Sequence, residues 1–260
     1  LEEGQKFERG GIYRFIVDVT KGNTKAVLTV EKVGKVDLPA PDIFFGNDKM
    51  EVTDTDIYKS DQAFTQGQMI TVTGIDNLNE WWIDPDFFEK QSDGTLKFLP
   101  INGDYRVTAN GILKYFSVIA LKDGKPAKLQ DDGTGAIWAI GKGIGKPSVA
   151  SSEVGWEPGK ALCLAQVAPK KYQLTLKAGE TLKTSGDWEA ISFKFFYQND
   201  WGDAFENYAS NTLVEQLKLT DTGNLEMQDN KAFEEGGIYR FTIDVTNGNA
   251  NADLKVEKIN

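Results

Sequence analysis

Phe7-Glu-Arg-Gly-Gly-Ile-Tyr-Arg-Phe-Ile-Val-Asp-Val-Thr-Lys-Gly-Asn23 returns near the other end of the chain as Phe233-Glu-Glu-Gly-Gly-Ile-Tyr-Arg-Phe-Thr-Ile-Asp-Val-Thr-Asn-Gly-Asn249. Carried on to Val33 and Ile259, the copies agree at 18 of 27 positions with a constant offset of 226, so one structural element is used twice. Each copy reads as a β-hairpin. Tyr13, Phe15, Val17 and Val19 alternate onto one face, as do Tyr239, Phe241, Ile243 and Val245. Lys21-Gly22-Asn23 and Asn247-Gly248-Asn249 supply the turns, and Leu28 with Val30, or Leu254 with Val256, return on the second strand. The alternation predicts that Tyr13 and Tyr239 are largely buried, with their hydroxyls hydrogen-bonded.

A third echo, Gly103-Asp-Tyr105-Arg106-Val107, opens another apolar stretch that ends near Leu121. If each Gly-x-Tyr-Arg strand opens the closing hairpin of a β-domain, residues 1–35 are the closing hairpin of an incomplete N-terminal unit. Residues 36–122 and 123–260 are then two β-sandwich domains, with linkers at 34–41 and 122–126. Met69–Thr73, Thr95–Phe98, Tyr172–Leu176 and Ile191–Tyr197 show period two with β-branched or aromatic enrichment. Short strands at this spacing, punctuated by 26 glycines, predict an all-β chain of tandem antiparallel sandwiches, immunoglobulin-like or carbohydrate-binding-module-like. A helix is expected only around 203–216, with a short helical turn within 77–88.

Composition removes several mechanisms. The 260 residues hold 29 Lys+Arg against 39 Asp+Glu, a net charge of −10, and no histidine. Histidine-based nucleophile systems, histidine general bases and histidine-ligated zinc are therefore excluded. The acidic balance, with no basic stripe, argues against nucleic acid as a partner. Cys163 is the single cysteine and lies in the strand pattern Ala161-Leu-Cys-Leu-Ala-Gln-Val167, where a packed thiol is expected rather than a reactive one. No run of 18 apolar residues is present. Leu1-Glu-Glu-Gly is neither an initiator nor a signal peptide, so the sequence reads as a processed or trimmed piece.

Familiar site motifs fail on inspection. Gly141-Lys-Gly-Ile-Gly-Lys-Pro-Ser148 lacks the glycine a phosphate loop needs at position 140 and the third glycine a dinucleotide fingerprint needs at 146. It reads as a flexible turn after the strand Ile137–Ile140. Asp54, Asp56 and Asp61, then Asp84 and Asp86, then Asp131 and Asp132, lack calcium-loop spacing and read as solvated acidic turns, so no metal and no cofactor are assigned. Among 39 acidic residues some pair always matches glycosidase spacing, which makes that signal uninformative.

Tryptophan carries more information. Of the six, at 81, 82, 138, 156, 188 and 201, most stand beside turn residues, as in Gly155-Trp156-Glu-Pro, Gly186-Asp-Trp188 and Asn199-Asp-Trp201-Gly. A pyranose stacks its apolar C–H face on an exposed indole while amides, carboxylates and lysines take its hydroxyls. Trp138, on an apolar strand, is assigned to the core. On strand 191–197, Ile191, Phe193, Phe195 and Tyr197 face one way and Ser192, Lys194 and Phe196 the other. Trp156 and Trp201 are the candidate platform, with Lys194, Asn199 and Asp203 as the polar groups nearest in sequence.

The blocks Ala136-Ile-Trp-Ala-Ile-Gly-Lys-Gly143, Gly155-Trp156, Tyr172-Gln-Leu-Thr-Leu-Lys-Ala-Gly179, Ile191-Ser-Phe-Lys-Phe-Phe-Tyr-Gln-Asn-Asp-Trp-Gly202 and the final Gly-x-Tyr strand occur in the order of a glycan-binding repeat. Residues 123–260 thereby resemble the modules of SusE/SusF-type surface lipoproteins and the uncharacterised domains that accompany them. The match over 36–122 is limited to Trp81-Trp82, Leu96-Lys-Phe98 and Gly103-Asp-Tyr105-Arg106. The resemblance implies a non-catalytic protein at the outer-membrane surface, held there by a lipid anchor upstream of Leu1. Its partners would be a polysaccharide or oligosaccharide and an outer-membrane glycan transporter complex. Two other classes compete: a structural or adhesive surface module without a glycan site, and a carboxylate-dependent glycan-active enzyme.

Overall fold

The computed structural model describes residues 7, 10–36, 38–186 and 190–260. Trp188, one of the loop tryptophans, lies outside the described residues. Among them the chain is nearly all-β, and its ladders are antiparallel except where Ser210–Thr212 runs parallel to Asp253–Lys258. The fold divides into two compact units, residues 1–41 and residues 42–260. No helix among the described residues is long and apolar enough to cross a membrane.

The first unit contains the hairpin Gly11–Asp18 with Val27–Lys35. Its repeat, in the second unit, pairs Ile238–Asp244 with Asp253–Lys258. The register is the same in both: Tyr13, Phe15 and Val17 oppose Lys32, Val30 and Leu28, as Tyr239, Phe241 and Ile243 oppose Lys258, Val256 and Leu254. The turns also agree. The Asp18 and Asp244 carboxylates each accept the amide two residues on at 2.9 Å, and short helical turns follow at Asn23–Lys25 and Asn249–Asn251.

What differs is the cover. Phe241 and Ile243 are fully buried, whereas their counterparts Phe15 and Val17 are 58% and 62% exposed. Tyr239 is buried, and its hydroxyl accepts a long bond from the Glu234 amide at 3.4 Å. Tyr13 is only half-buried, contrary to the expectation, and its ring meets Phe7 edge to face with centroids 4.7 Å apart. The physical reason is that a two-stranded ribbon has no second sheet of its own to face.

In the second unit that facing sheet exists. One sheet orders Glu153–Gly155, Trp138–Gly145, Ser192–Phe196, Leu225–Met227 and Leu217–Leu219, with Leu162–Cys163 also paired to Trp138–Gly145. The other orders Ala165–Ala168, Lys171–Lys177, Ile238–Asp244, Asp253–Lys258 and Ser210–Thr212. Between them Ile140, Phe193 and Phe195 meet Leu174, Leu176 and Phe241, whose ring lies 5.5 Å from that of Phe193. The alternation read along 191–197 thus sets the core, although Phe196, on the opposite face, is buried as well.

Residues 42–126 form a second layer system around Phe45, Phe64, Phe88, Phe98 and Phe116. Its main sheet is built on Ile57–Phe64, Gly103–Asn110 and Tyr115–Lys122, and the third Gly-x-Tyr-Arg strand does open a hairpin. The two layer systems share side chains. Ala165 lies in the aromatic core of the 42–126 system, and Trp138 packs with Ala127, Ala136 and Cys163 while its indole donates to the Ala127 carbonyl at 3.0 Å. Burial pushes the Cys163 thiol up to about 12. Trp138 and Cys163 are core residues, as expected.

Three local expectations are corrected. Residues 203–216 contain no helix; Phe205 and Tyr208 stack at 5.7 Å against the sandwich and Ser210–Thr212 joins a sheet edge. Within 77–88 the short turn is present at Leu78–Glu80. The cluster 141–148 is not a flexible turn, because the strand runs on to Gly145. Gly141 has φ +144°, and a Cβ there would fall 2.3 Å from the Phe193 Cα, so glycine admits the neighbouring strand. Asp84 and Asp86 are buried rather than solvated, because the ammonium of Lys146 stands between them.

Phe241→Ala is expected to destabilise the 42–260 unit by about 3–5 kcal/mol, the range for deleting a core phenylalanine, and Phe15→Ala to stay within about 0.5 kcal/mol. Chemical denaturation curves of the two variants check this, and equal losses would contradict the difference in cover. A thiol reagent at neutral pH is expected to label Cys163 only as the unit unfolds; rapid labelling of the folded chain would refute the packed assignment.

Candidate ligand-binding site

The strand Trp138–Gly145 sits between the two segments that carry the candidate indoles. On one side Gly155 pairs with Gly141, and the chain leaves the sheet at Trp156. On the other, Phe196 pairs with Trp138, and the chain leaves the sheet into the loop that holds Trp201. Both neighbours run antiparallel to the strand between them, so both exits lie toward its Trp138 end. Residues 45 apart in sequence thereby become neighbours.

Their rings lie 6.2 Å apart with an interplanar angle of 24°, an offset and nearly parallel pair. Trp201 is 52% exposed. Trp156 is half-buried and packs against the sandwich core. Beneath Trp201 the Phe196 ring makes an edge contact at 5.7 Å and supports the indole from the sheet.

Loop 197–204 is held by its own hydrogen bonds. The Asp200 carboxylate accepts the Trp201 amide at 2.8 Å, and the Gln198 side chain donates to the carbonyls of Asp200 and Asp203. The Tyr197 amide donates to the Asp203 carbonyl at 2.9 Å and closes the loop on the sheet. Gly202 has φ +131°, and a Cβ there would press within 3.2 Å of the Gln198 amide nitrogen. A side chain at 202 would disturb the group that ties the loop.

Of the polar candidates, Asn199 and Asp203 lie in this same loop, the first half-buried and the second exposed. Lys194 lies on the strand below. Its ammonium is 5.9 Å from the Phe196 ring and 3.8 Å from the Glu206 carboxylate, with the side chain only 12% exposed. A chain of contacts therefore runs from Lys194 through Phe196 and Trp201 to Trp156. Phe196, Gln198 and Asp200 were not among the candidates. The Asp-Trp-Gly turn at 200–202 is the signal that points to the last of them, since an aspartate before a glycine turn commonly accepts a backbone amide.

The arrangement presents an apolar aromatic surface, with Asn199 and Asp203 in the loop that carries Trp201 and Lys194 on the strand below it. Among the described residues no group of histidine, cysteine and carboxylate side chains is arranged to hold a metal ion. The comparisons with known proteins divide the chain in two. Residues 5–129 match the model of the domain of unknown function DUF5125, and residues 132–246 match that of the domain of unknown function DUF5121. No curated protein matches the chain. The two matches follow one another in tandem, and both candidate indoles fall within the second.

Proposed function

We propose that this chain is a non-catalytic polysaccharide-binding protein of the cell surface, which holds glycan on the Trp156–Trp201 pair for uptake or degradation by partners. The observation that carries the reading is the pairing itself: two loop indoles from separate segments, nearly parallel, with Trp201 half in solvent. A large ring kept in water has little local reason to exist unless it meets a ligand. The ordered motif blocks of residues 123–260, with their resemblance to SusE/SusF-type modules, support the same reading. On it the anchor is a lipid upstream and the partner is an outer-membrane glycan transporter complex.

A shallow stacking site with a few hydrogen bonds corresponds to a Kd of about 10 μM to 1 mM, roughly −7 to −4 kcal/mol. Native gels cast with starch, xylan, mannan or pectin are expected to retard the wild-type chain on at least one of them. Trp201→Ala should abolish that retardation while the thermal midpoint barely moves, since the ring is largely outside the core. Trp156→Ala should abolish it too, with a stability loss about half the ~3–5 kcal/mol of a fully buried tryptophan. Wild type that runs unretarded through every glycan would leave the structural or adhesive module as the better account. Release of reducing sugar from any of them would instead require an enzyme.

A further inference from the structure

The buried charged side chains among the described residues are Lys146, Asp84 and Asp86, and they form one cluster. The Lys146 ammonium donates to both oxygens of Asp84 at 2.8 Å and to Asp86 Oδ2 at 3.0 Å. Side-chain exposure is 2%, 3% and 1%. The charged groups come from two places, the turn that leads into Phe88–Lys90 and the end of the strand Trp138–Gly145, and the strand Lys171–Lys177 fixes Asp86 with hydrogen bonds. There the Gln173 side chain donates to Asp86 Oδ1 at 2.8 Å and the Thr175 amide to Oδ2 at 2.6 Å. The Trp82 ring lies 5.9 Å from the ammonium.

We propose that this cluster is a self-modification site at which the Lys146 amine condenses with the Asp84 carboxyl to form an intramolecular isopeptide bond, with Asp86 as the proton-transfer group. Equal contacts from Nζ to both carboxyl oxygens place Asp84 Cγ no more than about 3.2 Å away by carboxylate geometry, inside the roughly 3–3.5 Å of a near-attack arrangement. Water is excluded from all three groups; the amine is held at the end of one strand, and the electrophile and the base two residues apart in one turn. The two carboxylates are not equivalent. Burial pushes the Asp84 carboxyl above the usual carboxylate range, and the Asp86 charge adds to this against the pull of Lys146. At Asp86 burial acts in the same direction but is outweighed by the Lys146 charge and the bonds from Thr175 and Gln173, which hold it below that range. Of the two, Asp84 is therefore the more readily neutralised, electrophilic acid and Asp86 the stronger anion. Against the effect of burial, the two carboxyl groups together make the Lys146 ammonium hold its proton more tightly than usual.

The step balances within the cluster. The ammonium gives one proton to Asp86, and the free amine attacks Asp84 Cγ to form a C–N bond. Asp86 then relays a proton from nitrogen to the departing hydroxyl as the C–O bond breaks. One water leaves, the product is a neutral amide, and Asp86 ends as the acid. No oxidant or other reactant is needed. The bond would join the turn at 84 to the strand end at 146.

The test is the intact mass of the purified, folded full chain in denaturing solvent. The proposal expects a species one water lighter than the sequence, and a digest containing a branched peptide that joins the Asp84 segment to the Lys146 segment. Loss of water through an ordinary aspartyl imide is chemically barred at position 84, because Pro85 offers no amide N–H. Lys146→Arg should return the chain to full mass. Asp86→Asn, which keeps the shape and one acceptor oxygen of the side chain, should also stay at full mass while retaining its β-sheet circular dichroism. Folded wild type at the full sequence mass overturns the proposal. Complete cross-linking of Asp86→Asn would overturn the role given to Asp86.

Discussion

One ammonium and two carboxylates, taken out of water together, constrain how three segments of the larger unit must meet. Removing a charge from water costs several kcal/mol, and only close opposite charge and full hydrogen bonding offset it. Lys146, Asp84 and Asp86 meet those terms only when three segments are in register: the turn before Phe88, the end of the strand Trp138–Gly145, and the strand Lys171–Lys177. A slip by one residue in either of the first two would leave a charge unpaired, and in the third would strip Asp86 of its hydrogen bonds; breaking such a cluster by losing one partner typically costs about 3–5 kcal/mol. Within the 42–260 unit the cluster thus ties the turn before Phe88 to the strands Trp138–Gly145 and Lys171–Lys177.

The site inherits that order. The strand that ends at Lys146 is also the strand whose two neighbours carry Trp156 and Trp201. Its glycines let those neighbours approach closely, and the facing sheet, closed by the hairpin around Phe241, holds Phe193 and Phe195 from beneath. Phe196 then supports Trp201 from the other side of the same strand. Rigid sheet below and a self-tied loop above suit a preformed platform, which limits the ordering cost of binding a flexible chain of sugars.

Much of this was legible in the sequence, and what was not has a common cause. The hairpins at 11–35 and 238–258 were legible as hairpins with matching faces and turns, because side-chain alternation and turn chemistry are local. Their environments were not, since identical faces lie open in one unit and buried in the other. Trp156 and Trp201 could be nominated from their flanking glycines, but their stacking depends on pairing through residues 138–141. Asp84 and Asp86 read as solvated because acidic turns usually are; the residue that buries them lies about sixty positions away, beyond any local pattern. The helix expected at 203–216 failed for the same reason, as Phe205 and Tyr208 are claimed by the sandwich edge.

The central claim is that a glycan lies on the two indoles. The most direct measurement is a titration of the folded chain with an oligosaccharide of the retained glycan, followed by NMR through the indole N–H resonances. The account expects the Trp156 and Trp201 resonances to move together along one binding curve while that of buried Trp138 stays fixed. A curve that leaves both loop indoles unmoved, with the sugar bound elsewhere or not at all, would contradict it.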